Sequence, residues 1–334
     1  MLEEYYETVE IEKAEKLSGE LLAAQQSGSL GKGSENAVLQ LWRGRIKFKM
    51  KQYGEAAICF RKSLELIGDK EDEDSLWQKE AAYAGMMEAY LEAGETGKAE
   101  DLAMGLLRDG ESKAQDLIQK INNQYKINKE TRKSYEFGMK LYEVLPEGGW
   151  NLRQETREDG VRLIEEHVSK EEWGKAEEIC EGLMSKDAKN AVWYIWAGRI
   201  NAGRKLYVEA AGYFEKGLEL IGDEEDEESG KLKETAYYGM IRAYFETGEI
   251  EKAKSTCDGL LKKDNKNAVL HIWAGRINAR MKQYAEEASS FENGLELIGD
   301  KTDEDSLWQK EAAYAGMMEA YLEAGETGKA EYDY

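Results

Sequence analysis

Arginine is the residue of this chain whose placement most suggests recognition chemistry. The string Trp-x-Gly-Arg-Ile occurs three times and puts Arg45, Arg199 and Arg276 in one local context. The steps between them are 154 and 77 residues (199 − 45 and 276 − 199), the first twice the second. A planar guanidinium with a fixed fork of donors holds a carboxylate through two parallel hydrogen bonds. The 77-residue step also relates Glu88, Glu165, Arg242 and Glu319. Such an alternation can bind a peptide through carboxylate–arginine forks, or its members can pair with one another on adjacent helices.

Other chemistry is sparse. His167 occupies the place held one step away by Tyr90 and Tyr244 and reads as a packing substitute, while His271 matches Gln40 and Tyr194 and is unremarkable. No Cys–His pair, G-x-S-x-G or H-E-x-x-H motif is present, so no catalytic set can be named and the reading is non-enzymatic, with no cofactor and no metal. The segment GSLGKGSEN (Gly28 to Asn36) is like a phosphate loop. However, Gly33 stands where a serine or threonine should follow the lysine, so the stretch reads as a flexible insertion. Asp69 to Glu80 has the length of a calcium loop with Leu76 at the apolar eighth place, yet Asp74 stands where a glycine must make the sharp turn. The acidic connectors are therefore expected to be solvated loops.

The 334 residues carry a formal charge of −22, with 41% hydrophobic and 34% charged residues. Phosphate backbones and anionic membranes repel such a chain, which excludes nucleic-acid and membrane partners from the expectation. One proline against 33 glycines favours a helical chain without rigid linkers. Cys59, Cys180 and Cys257 lie far apart without a C-x-x-C pair and read as small buried residues in a reducing compartment. The acidic N-terminus lacks an apolar export signal, and no long apolar run exists, so a cytoplasmic location is expected.

What positions the arginines is a repeat. NAVLQLWRGRIKFKMKQY from Asn36 returns as NAVWYIWAGRINAGRKLY from Asn190 and NAVLHIWAGRINARMKQY from Asn267. A worn copy at the intervening step keeps Ala114, Phe137 and Leu141. Asp72 to Glu100 recurs letter for letter at Asp303 to Glu331, and 303 − 72 = 231 is three times 77. Each period holds two helical pairs. The first pair is a helix through the arginine string, a turn near Tyr53 and a second helix in which Ala56, Phe60 and Leu64 recur every four residues. The second pair is a helix from Glu80, a turn at Glu95-Thr96-Gly97 and a helix from Lys98.

The pattern resembles the tetratricopeptide repeat, a helix-turn-helix unit of about 34 residues. Gly44, Tyr53, Ala56, Phe60 and Leu64 fall at that family's signature spacing, as do Gly198, Tyr207, Ala210, Phe214 and Leu218, and Gly275, Tyr284, Phe291 and Leu295. Tyr90-Gly94-Ala99, Tyr244-Gly248-Ala253 and Tyr321-Gly325-Ala330 match its tyrosine, turn glycine and alanine. The resemblance implies an all-α fold, an α-solenoid with a right-handed superhelix of stacked helix pairs. It divides the chain into a partial repeat at 1–25, an insertion at 26–35, and pairs at 36–111, 112–189 (degenerate), 190–266 and 267–334. It also implies that Arg45, Arg199, Arg242, Arg276, Glu88, Glu165 and Glu319 line a concave groove that binds a protein or peptide partner. Three features depart from the family. Trp42, Trp196 and Trp273 lie two residues beyond its usual aromatic position, Glu287 replaces an expected alanine, and Gly68, Gly222 and Gly299 stand where a proline usually closes the unit. Some members grip chaperone C-termini with a lysine–asparagine clamp, and Leu41, Ile195 and Ile272 at the lysine place argue against that clamp here.

The ends suggest an alternative. Tyr5 and Ala14 align with Tyr321 and Ala330, and 330 − 14 = 316 is four periods of 77 plus the eight-residue insertion. Start and finish at one phase of the repeat raise the expectation of head-to-tail homo-oligomers or filaments through Tyr5, Tyr6, Ala14, Tyr321, Ala330, Tyr332 and Tyr334.

Overall fold

The computed structural model describes residues 11–26, 37–109, 114–142, 144, 152–223 and 226–325. These form α-helices and no strands. The chain divides into two compact units between Asp159 and Gly160.

The first unit contains α1 (Ile11–Gln26), α2 (Ala37–Lys49), α3 (Tyr53–Ile67), α4 (Glu73–Glu92), α5 (Thr96–Arg108), α6 (Ala114–Ile127) and α7 (Thr131–Leu141). The boundary falls inside α8 (Leu152–Ser169). The second unit continues with α9 (Trp173–Lys186), α10 (Ala191–Gly203), α11 (Tyr207–Ile221) and α12 (Glu227–Thr247). It closes with α13 (Ile250–Leu261), α14 (Ala268–Arg280), α15 (Tyr284–Ile298) and α16 (Glu304–Glu323). From α1 to α7 and from α9 to α16, each helix packs on the next. First helices of successive pairs also lie against each other: α2 on α4, α4 on α6, α10 on α12 and α14 on α16. This is an all-α solenoid of tetratricopeptide-like helix pairs.

Local chemistry starts and stops these helices. Asp72, Asp226 and Asp303 are extended N-caps that accept the backbone N–H of Ser75, Ser229 and Ser306 at 3.0, 2.9 and 3.0 Å. The three serine hydroxyls donate to the same carboxylates at 2.7, 2.6 and 2.7 Å. The cap satisfies donors that a helix start leaves orphaned, so α4 begins at Glu73 and the acidic connector ends at Asp72. The expected start at Glu80 and the fully looped connector are corrected by this cap. The turns also move. Tyr53 opens α3 after a left-handed Lys51 with φ 59°, and Thr96 opens α5 after Gly94 with φ 73°. Gly68, Gly222 and Gly299 close α3, α11 and α15 at φ 57° with ψ between −133 and −138°, a region almost closed to residues with a β-carbon.

The core repeats one device. Phe60 is inserted between Gly44 and Gly85, Phe214 between Gly198 and Gly239, and Phe291 between Gly275 and Gly316. A β-carbon at Gly44, Gly198 or Gly275 would lie 2.6, 2.6 or 2.7 Å from its ring. Three helices thereby lock onto one aromatic plug. Around the plugs sit Leu41, Met87 and Ile118 in the first unit, and Ile241, Leu270 and Met317 in the second, all buried. Met317 belongs to a cluster with Ile272, Ala313 and Tyr321.

The worn copy forms a helix pair, α6 with α7, and its core is partly polar. The buried Ser134 hydroxyl lies 2.6 Å from Asn122 Oδ1 and 2.5 Å from Asp159 Oδ2, and Asn122 donates to Glu155. Glu100 takes the Tyr125 hydroxyl and, at 2.8 Å, Lys140 Nζ. Ser134 and Asp159 stand where the sister copies hold Ala57 and Ala82, and Asn122 stands where they hold Arg45 and Arg199, so a satisfied polar network takes the place of part of the repeated pattern. Among the described residues, no helix is long and apolar enough to cross a membrane.

Candidate functional site

Each arginine of the Trp-x-Gly-Arg-Ile string lies over the tryptophan three residues before it, one helical turn away. The guanidinium of Arg45 is 4.8 Å from the Trp42 ring centroid and 5.9 Å from that of Trp77. Arg199 is 3.9 Å from Trp196, and Arg276 is 4.5 Å from Trp273 and 5.2 Å from Phe245. A cation over an aromatic face is held by the ring quadrupole, and the flat guanidinium keeps its edge donors available. The tryptophans that depart from the family spacing are thus the platforms that orient the arginines.

The glutamate positions do not form one ladder with them. Glu88 pairs with Lys120 Nζ at 2.8 Å, both on the first unit. Glu165 lies within electrostatic reach of Arg199, and Arg242, Arg280 and Glu246 within reach of Arg276. Glu319 faces another carboxyl, Glu287.

Of these groups, Arg276, Arg280, Glu287 and Glu319 line a cleft of about 550 Å³ in the second unit, bordered by α12, α14, α15 and α16, whereas Glu88, Glu165, Arg199 and Arg242 lie outside its lining. Its apolar walls include Phe245, Trp273 and Trp308, with Phe291 and Gly316 from the core device at its floor. Trp308 is 62% exposed. Arg276 and Arg280 line the cleft, the latter 4.8 Å from the Phe245 centroid, and Glu319 and Glu287 complete its polar lining. Trp77, at the place equivalent to Trp308, lines a smaller hollow of about 410 Å³ with Asp116 and Lys120 in the first unit.

Glu287 is the group that sequence reasoning noted only as a departure. It is 1% exposed, and its Oε1 has no hydrogen-bond partner. Burial, reinforced by the charge of Glu319, pushes its carboxyl up to about 7. The equivalent Ala56 and Ala210 are fully buried, so the signal was a carboxylate at an alanine position with a second carboxylate thirty-two places on (319 − 287).

His167 is buried with Nδ1 2.7 Å from Glu172 Oε2, and His271 Nε2 lies 3.0 Å from the Asn265 carbonyl. The three cysteines are unpaired and buried, and the Cys180 and Cys257 thiols donate to the carbonyls of Trp193 and Leu270. Among the described residues, no group of three His, Cys, Asp or Glu could hold a metal ion. Of the terminal residues, Ala14 and Tyr321 are buried inside their own units, with the Tyr321 hydroxyl on Glu292. Tyr5, Tyr6, Ala330, Tyr332 and Tyr334, and residues 27–35 of the insertion expected at 26–35, lie outside the described residues, while Gln26 ends α1.

The class the fold and cleft define is a tetratricopeptide-like helical repeat protein with an aromatic, charge-lined cleft. No family model and no curated protein matches the chain. Among solved structures it is similar to the MamA protein, at 16% identity over 51% of this chain and 84% of that one, with a TM-score of 0.40. It is also similar to YrrB, a TPR protein with an unusual peptide-binding site, at 18% identity over 53% and 87% with a TM-score of 0.37. The TPR2AB domain of yeast Sti1 in complex with pHSP90 is 13% identical over 97% and 95%, with a TM-score of 0.34.

Proposed function

We propose that the protein is a non-enzymatic interaction scaffold whose second unit holds a peptide or helix of a partner protein in the α14–α16 cleft. The observation that carries this reading is the convergence of Trp273, Trp308, Arg276 and Arg280 on one concave surface. Binding energy at protein interfaces concentrates in tryptophan, tyrosine and arginine seated in partly enclosed pockets. The exposed indole of Trp308 offers apolar area with little entropy to lose, and the stacked guanidiniums offer fork donors whose orientation is already set. The net charge of −22 draws basic partners from a distance and repels acidic ones, raising the encounter rate with the former.

Degenerate octapeptide pools, measured by fluorescence anisotropy against the full chain and a Trp308→Ala variant, test the reading. At least one pool should bind, and the variant should bind it about tenfold more weakly, the loss expected for a hot-spot aromatic. Equal binding to both proteins, or no binding by any pool, rules the cleft out.

A further inference from the structure

We infer that Glu287, with Glu319, forms a subsite in this cleft for a basic side chain of the bound segment, a lysyl ammonium or arginyl guanidinium. The inference rests on the cleft being the partner site. Its evidence is a buried acceptor with nothing to accept from: Glu287 lines the cleft, and its Oε1 is shut off from bulk water and has no partner. A buried polar atom left unpaired is costly, and replacing the alanine found at Ala56 and Ala210 with glutamate incurs that cost without structural return.

The charges around the carboxyl indicate what it awaits. From α16, the charge of Glu319 repels it. From α14, Arg276 and Arg280 also line the cleft, but they lie over Trp273 and Phe245. A cation with several N–H donors would satisfy Oε1, relieve the repulsion between the two carboxylates and lay its apolar stem along Trp308. A neutral or acidic group does none of this. The acidic surface favours the same partner. Since binding a cation requires the carboxylate, and burial keeps Glu287 partly protonated near neutral pH, affinity should climb as the pH rises through about 7.

The test uses degenerate octapeptide pools whose fourth residue is fixed as lysine, arginine, norleucine or glutamate. Each is measured against the full chain, Glu287→Gln and Glu287→Ala at pH 6 and pH 8. The alanine variant restores the residue of the sister copies and guards against a folding artefact. The expected result is at least tenfold tighter binding of the lysine or the arginine pool than of the norleucine pool at pH 8, smaller at pH 6. In both variants that ratio should fall to near one. The two basic arms show which cation the subsite takes. If the wild type binds pools without preferring basic ones, or Glu287→Ala keeps the preference, the subsite is refuted and the cleft reading stands. If no pool binds at all, both fall.

Discussion

The backbone of Gly316 comes so close to the ring of Phe291 that no room remains for a β-carbon between α16 and α15. Gly316→Ala must therefore displace the aromatic plug, and overpacking of a filled core costs about 1–3 kcal/mol. By contrast, Gly230 lies in α12 with open space around it. Gly230→Ala should stabilise by about 0.5–1 kcal/mol, because the alanine loses less backbone entropy in a helix. Urea unfolding of both variants checks the pair, and a harmless Gly316→Ala would contradict the plug.

Glu287 gives stability an unusual pH dependence. Its folded carboxyl sits at about 7, above the ordinary 4.5, so between those values the folded state binds the proton that the unfolded state has released. Its contribution is therefore most favourable below about 4.5 and is lost as the pH rises through about 7. Glu287→Ala should be more stable than wild type at pH 8, by on the order of 2 kcal/mol, and should lose that advantage toward pH 4.5. A constant difference between the two proteins across this range would contradict the burial.

Most of the architecture is legible in the chain. The 77-residue period and the positions of Gly44, Phe60, Tyr90 and Ala99 specify helix pairs because each recurs at that step in the clear copies. Gly85, Gly239 and Gly316 recur at the same period but were passed over, since the ring that demands them lies on the preceding helix. The true start of α4 is hidden in the sequence because an aspartate–serine cap looks like one more acidic residue in a charged run. The pairing of Trp196 with Arg199 was written in their i, i+3 spacing, yet the tryptophan registered only as an oddity. At Glu287 only the change from alanine to glutamate is legible, and the environment is not. It depends on which side chains of α14 and α16 surround it, and no linear pattern carries that.

Arg199 and Trp196 should be energetically coupled. A double-mutant cycle with Arg199→Ala and Trp196→Ala should return a coupling of about 0.5–1 kcal/mol, the range for a cation–π contact at an exposed site. Additive single effects would mean that the stacking orients the guanidinium without holding it.

The aspartate caps should make acid sensitivity local. Hydrogen bonds from the Ser229 hydroxyl and then its backbone N–H hold the Asp226 carboxyl below its ordinary 3.8. The resulting stability is present above that value and is lost as the pH falls through the lower folded one. Asp226→Ala should therefore lower the Tm at pH 7 and narrow the Tm gap from wild type as the pH drops below 3.8. Circular-dichroism melts at pH 7 and pH 2.5 measure this, and a gap that does not narrow would count against the cap.

The central claim is that a partner segment sits in the cleft between α14 and α16. Hydrogen-exchange mass spectrometry on the full chain, with and without a saturating bound peptide pool, locates it most directly. The account predicts slowed exchange in residues 268–280 and 304–323, with residues 250–261 of α13 unchanged. Protection confined to α13, or spread over the chain without focus on α14 and α16, would contradict it.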